Sequence, residues 1–172
     1  TRITGTGGHY MFDDDQQTPN TLICTFDYPE QKKVLQFETR HWISNYDGGF
    51  GANGENNVGV LFFGSEGYME MEYFGYRIFL GRKREPGPKG TGNGDPWATF
   101  VAAIRSGKRE DLGVDIEEGH LSSALCHLGN IAYRVRRSIQ FDPTKEKILG
   151  DSEASALLTR DYRRPFVVPA IA

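Results

Sequence analysis

An excess of basic charge, long apolar runs and clustered cysteines are all missing from this chain. Each absence removes a class of function. Lys and Arg number 20 against 23 Asp and Glu, a net charge of −3. No strong positive field exists to hold nucleic acid. No apolar run approaches the roughly 20 residues that cross a bilayer, and no signal-peptide pattern opens the chain. The two cysteines, Cys24 and Cys126, have no metal-ligand spacing. Two lone cysteines in a chain this long read as buried free thiols rather than a disulfide framework, which favours a reducing compartment. Also missing are a nucleophile elbow, a Ser/His/Asp constellation and a Cys/His pairing, so unaided hydrolysis has no machinery.

What is present is ordinary for one soluble globular domain: 172 residues, 38% hydrophobic and 25% charged, enough to bury a sizeable core. The first half reads as strands. "TRITGTGG" alternates from Thr1. From Asn20 to Tyr28, Leu22, Cys24, Phe26 and Tyr28 alternate against Ile23, Thr25 and Asp27. From Lys33 to Trp42, Leu35, Phe37, Thr39 and His41 lie on one side, with Val34, Gln36, Glu38, Arg40 and Trp42 on the other. Asn57 to Phe63 is more uniformly apolar than these alternating stretches, a pattern compatible with a strand covered on both faces. Tyr68 to Met71 and Gly75 to Leu80 follow a Ser65–Gly67 turn. The Gly/Pro/Lys/Arg-rich stretch Arg82 to Gly94 reads as a mobile surface loop. One long, mostly antiparallel sheet is the economical summary.

Helices follow. Asp95 is an N-cap with Pro96 at the first helical position, and Trp97, Phe100, Val101 and Ile104 form an apolar stripe. Asp115 and Glu118 have capping-box spacing before a helix over Ile116–Arg136. Its expected buried stripe is Leu121, Leu125, Leu128, Ala132 and Val135. Asp151 caps a short helix ending near Leu158, and Pro165 and Pro169 mark an extended tail. Strands first and helices after predict an α+β fold, with helices packed on one face of the sheet.

Several motifs invite chemistry. Gly49 to Gly54 matches G-x-G-x-x-G, but a strand follows where a pyrophosphate site needs a helix, so a long loop is expected. His120 and His127, seven residues apart, are separated by about 10 Å along a helix and cannot share one metal ion. His120, Ser123, His127, Asn130 and Arg134 do recur along one helical face, either a solvated face or one that meets a domain or ligand. Arg40, His41 and Trp42 end a strand just before a long loop containing Tyr46. Arg can clamp an anion or hydroxyls, His can donate or accept, and Trp can stack on a sugar. They are candidate substrate contacts, or else a sheet-face cluster at an oligomer contact. Asp13 to Asp15 with Gln16 and Gln17 read as a solvated loop, without the spacing of a calcium loop.

The run "DPWATFVAAIRSGKREDLGVDIEEGHLSSALCHLGNIAYRVRRSIQFDPTKEKILGDSEASALLTRDYRRPFVVP" resembles the end of a bacterial Gfo/Idh/MocA oxidoreductase. "DDDQQTPNTLICTFDYPEQKKVLQFETRHW" and "GVLFFGSEGYMEM" are similar to the sheet of that family's C-terminal domain. The resemblance covers nearly the whole chain. It implies a glyceraldehyde-3-phosphate-dehydrogenase-like C-terminal domain over residues 1–172, with an open-faced sheet. The domain would line a pocket for a sugar or cyclitol and pair subunits through the sheet. It also implies NAD or NADP bound by an N-terminal Rossmann domain expected before Thr1. The family's Glu-Lys-Pro lysine and Asp-x-x-x-His pair have no match here, so no catalytic, cofactor-binding or metal residue is assigned to this chain. The expected whole is a substrate-side and oligomerisation domain, inactive alone. The alternative is a stand-alone carbohydrate-binding or interaction module. A cytoplasmic location is expected, or a periplasmic one if an export signal precedes Thr1.

Overall fold

In a computed structural model, residues 1–41, 59–72, 75–92 and 94–168 are described. Backbone contacts divide the chain into two units: Thr1–His41 with His120–Ala172, and Trp42–Gly119.

The first unit is built on a five-stranded antiparallel sheet of order β3-β2-β1-β8-β9. Its strands are β1 (Arg2–Gly8), β2 (Thr21–Tyr28), β3 (Lys33–Arg40), β8 (Ile139–Asp142) and β9 (Lys147–Leu149). Residues that face each other across an antiparallel ladder share a side of the sheet, so the register sorts the faces. Ile3, Phe26 and Leu35 form one row, and Gly5, Cys24 and Phe37 the next. This is the core side. The helix α2 (Ile116–Val135) covers it with Leu128, Ile131, Ala132 and Val135, joined by Ile139, Ile148 and Ala154.

Two glycines let helix and sheet approach. A Cβ built at Gly5 would lie 2.7 Å from the Gly129 carbonyl oxygen, and one at Gly129 would lie 2.6 Å from Cys24 Sγ. Neither position has room for a methyl group without displacement.

The opposite side of this sheet carries the rows Arg2–Asp27–Val34, Thr4–Thr25–Gln36 and Thr6–Ile23–Glu38. Arg2 and Asp27 form a 2.9 Å ion pair, and the Thr4 and Thr25 hydroxyls share a hydrogen bond. This is the half-polar side expected from the alternation of the sequence. The short helix α3 (Ser152–Ala156) is capped by Asp151, whose Oδ1 accepts from Ala154 N at 3.0 Å.

In the second unit, β4 (Val60–Gly64), β5 (Gly67–Glu72), β6 (Gly75–Leu80) and β7 (Glu85–Thr91) form a four-stranded antiparallel sheet in sequential order. Phe63, Tyr68 and Phe79 stack across it, with ring centroids 5.9 and 4.9 Å apart. The helix α1 (Pro96–Ser106) starts at Asp95, whose Oδ1 accepts from Trp97 N and Ala98 N at 2.9 and 3.1 Å.

The α+β class and the antiparallel pairing hold, but several expectations change. The strands divide between two sheets rather than one. The stretch read as a mobile loop contains β7, paired to β6 at Tyr76–Gly90 and Arg77–Lys89 with a register irregularity beyond. Pro86 and Pro88 are tolerated because β7 is an edge strand, where a missing N–H costs no ladder bond. β4 is also an edge, and Phe62 and Phe63 are exposed rather than covered on both faces. The α1 stripe is open to solvent: Trp97, Phe100, Val101 and Ile104 are all exposed. Leu121 is exposed and Leu125 only partly buried, because α2 meets the sheet through its second half. Cys24 is buried as expected, but Cys126 is exposed. The tail turns at Arg163–Phe166 instead of running straight, and the hairpin β8–β9 fills the stretch between the two expected helices, to which the sequence pattern assigns no element.

Candidate functional site

Those sequence candidates that are among the described residues lie in the first unit, at one end of its sheet and along α2. At the sheet end, Arg40 closes β3 opposite Thr21. Arg40 is half-buried, and its Nε lies 3.2 Å from Glu38 Oε1 on the same strand face. His41 follows, exposed, with its backbone N–H donated to the Asn20 carbonyl at 3.0 Å. Trp42 and Tyr46 lie outside the described residues.

Asn20 organises this end, and the sequence reading missed it. The residue is fully buried. Its Oδ1 accepts from Tyr10 N at 3.2 Å and from the Thr21 hydroxyl at 3.2 Å, and its Nδ2 donates to the Phe12 carbonyl at 3.3 Å. A buried amide has to find such partners or lose stability. The result is a loop, residues 9–20, pinned to the end of β2 and through His41 to the end of β3. Further bonds close the loop: His9 Nε2–H and Gln16 Nε2 both donate to the Thr18 carbonyl at 2.8 Å, and Gln16 N donates to Asp14 Oδ1 at 3.0 Å. Tyr10, Met11 and Phe12 are exposed on it. Asp13 to Asp15 are exposed too, as expected of a solvated loop. The signal that could have revealed Asn20 is its place in "TPNT". A small amide between Pro19 and a strand is a turn residue able to bond backbone on both sides.

Along α2 the polar line is real but mostly wet. Ser123, His127 and Arg134 are exposed, and Asn130 is half-buried. His120 Nε2 lies 2.8 Å from Glu146 Oε1 in the β8–β9 turn, with both side chains about half exposed (54% and 53%). Among the described residues no group of three or more His, Cys, Asp or Glu converges to hold a metal ion.

Among the described residues, carboxylates occupy the three α-helix starts. Asp95 and Asp151 accept the first backbone N–H groups of α1 and α3, and Asp115 Oδ1 accepts from Glu117 N at 2.9 Å at the start of α2. These carboxylates satisfy N–H groups that have no partner within the helix and complement the positive end of its dipole. Arg109, hydrogen-bonded to Asp115, keeps that carboxylate below its usual range. The G-x-G-x-x-G run at Gly49 to Gly54 lies outside the described residues. Among the described residues, no helix is long and apolar enough to cross a membrane.

Fold and site together define an α+β domain whose described candidate contacts sit at strand ends and on one helix. Residues 84–168 match the family model described as "Oxidoreductase family, C-terminal alpha/beta domain", and over that segment the chain belongs to the Gfo/Idh/MocA oxidoreductases. No curated protein and no solved structure matches the chain.

Proposed function

We propose that this chain is the substrate-side and oligomerisation domain of an NAD(P)-dependent sugar or cyclitol oxidoreductase, acting with a nucleotide-binding Rossmann domain and inactive without it. The observation that carries the reading is the family match to a C-terminal oxidoreductase domain over residues 84–168. Arg40 and His41, beside the loop closed by Asn20, are the proposed substrate contacts, with Arg40 offering a fork of donors to hydroxyls. His120, Ser123, His127, Asn130 and Arg134 are the proposed face toward the partner domain. The half-polar side of the first unit's sheet is the proposed subunit contact, since a self-complementary face suits two-fold pairing.

Two measurements test this. NADH or NADPH added to the purified chain should give no fluorescence enhancement; binding at about micromolar Kd would contradict the assignment. Sedimentation should give a dimer that Ile23→Asp, a charge placed on the half-polar face, converts to a folded monomer. A wild-type monomer at all concentrations would remove the pairing role. Saturable binding of a neutral oligosaccharide by such a monomer would favour a stand-alone carbohydrate-binding module instead.

A further inference from the structure

We propose that the C-terminal segment of the first unit forms a cup for an oxyanion, a phosphate or carboxylate group of a small molecule. Arg160, Asp161, Tyr162, Arg163 and Phe166 line one open cavity. The two guanidiniums are braced on aromatic rings: Arg160 sits over Tyr162, 5.9 Å from the ring centroid, and Arg163 over Phe166, 5.4 Å from it. A turn makes the second contact possible. Phe166 N donates to the Arg163 carbonyl at 2.8 Å and Val167 N to the Pro165 carbonyl at 2.9 Å, which folds the Phe166 ring back under the arginine.

A guanidinium lying on a ring keeps its N–H donors at its edges, available to an acceptor. The bracing also restricts a side chain that would otherwise lose rotamer freedom on binding. Some other arginines of this unit are already held by carboxylates, Arg40 by Glu38 among them. Arg2 holds Asp27, and Arg137 holds both Asp151 and Glu153. Among the described residues, Arg160 and Arg163 have no carboxylate in ion-pair contact, although Asp161 lies between them in the chain. In a chain of net charge −3, the stretch from Arg160 to Phe166 carries three arginines and one aspartate. That local positive charge, with planar donors fixed on two sides, fits an oxyanion. The cup is open, so water and salt weaken it. Asp161 opposes the anion and limits affinity further.

The experiment is a titration of the 172-residue chain with inorganic phosphate, acetate and chloride at matched low ionic strength, followed by amide chemical shifts. Saturable phosphate binding at about millimolar Kd is expected, localised to residues 160–167. Arg160→Ala and Arg163→Ala should each weaken it roughly tenfold. Asp161→Asn should tighten it several-fold. Tyr162→Leu, which removes only a brace, should weaken it less than either arginine change. Acetate competing with phosphate would identify a carboxylate-accepting cup, and phosphate alone a tetrahedral-anion cup. A phosphate response no larger than that of chloride, or one that survives Arg160→Ala with Arg163→Ala, would overturn the proposal. Circular dichroism confirms that these surface variants fold. Neither result bears on nicotinamide binding or dimerisation, so the oxidoreductase reading stands or falls separately.

Discussion

The two units use the same antiparallel hydrogen bonding and differ in what covers it. Every fully buried apolar side chain among the described residues belongs to the first unit, from Ile3 and Phe26 in the strands to Ala132 in α2 and Ile148 in the hairpin. In the second unit the one buried residue among those described is a glutamate, Glu70, whose carboxylate lies 2.7 Å from Arg77 on the neighbouring strand. Strand pairing alone makes a sheet marginal in water, and a helix laid on one face supplies the missing apolar burial. The first unit has that helix. The described part of the second stands on cross-strand pairs such as Phe63–Tyr68–Phe79 and on the Asp95 cap.

The sharpest way to break this comparison is to remove one phenylalanine from each sheet. Phe26 is 2% exposed and Phe62 45%. Phe26→Ala should cost about 3–5 kcal/mol, while Phe62→Ala should cost ~1 kcal/mol or less. Urea midpoints followed by far-UV circular dichroism measure both. Equal losses would mean that the second sheet is as well covered as the first.

A second test exploits the close approach of α2 to β2. Alanine is favoured over glycine in a helix by about 1 kcal/mol, so Gly129→Ala would stabilise if space allowed. The new Cβ would lie 2.6 Å from Cys24 Sγ, whose residue is only 1% exposed. Overpacking of this kind costs roughly 1–3 kcal/mol, and the clash should win. In a Cys24→Ala background the nearest remaining atom of that residue is its Cβ at 3.5 Å, an ordinary contact. There Gly129→Ala should become neutral or stabilising. A loss of the same size in both backgrounds would show that the sulfur is not the obstacle.

The same comparison explains what the sequence made legible. Period-two alternation over Leu22, Cys24 and Phe26 and helical periodicity over Leu128, Ala132 and Val135 survive because those residues meet each other in a core. Pattern failed where no core enforces it. The α1 stripe looks like a buried face by spacing yet is exposed, and "EPGPKGT" looks like a loop yet pairs as an edge strand. Of the candidate site, Arg40 and His41 were legible as strand-end residues. Asn20 was not, because its role is set by hydrogen bonds to Tyr10, Phe12 and His41 that no spacing encodes.

Electrostatics offers a smaller effect, again in the first unit. Arg137 donates to Asp151 through Nε and Nη2 at 2.8 Å each, and to Glu153 at 2.7 Å. These bonds, with the Ala154 N–H, lower the Asp151 carboxyl to about 2. A carboxyl depressed on folding stabilises the fold above its ordinary value near 3.8, and that contribution fades as pH falls from there toward about 2. The expected observation is an Asp151 side-chain NMR titration centred near the lower value in the wild type and shifted up toward the ordinary one in Arg137→Gln. Below the folded value the Asp151 contribution is gone in both proteins, and any stability difference left there reports the Arg137 Nη1 bond to the Val135 carbonyl, 3.0 Å in the wild type. An unshifted Asp151 in the variant would assign the depression to the helix start rather than to the arginine.

The smallest effect should come from the largest side chain of α1. Trp97 is 78% exposed and Ile104 67%, so Trp97→Ser removes little that is shielded from water and should change stability by no more than about 0.5 kcal/mol. Asp95→Ala deletes only a carboxylate, but that group holds the N–H of Trp97 and of Ala98; losing the cap should cost ~1 kcal/mol. The usual ranking, in which a tryptophan outweighs a surface aspartate, is thereby inverted. The two variants, unfolded side by side in urea, decide whether α1 is held by its end or by its stripe. A loss above about 2 kcal/mol for Trp97→Ser would mean that the apolar face is covered in solution, and the contrast between the units would fail at this helix first.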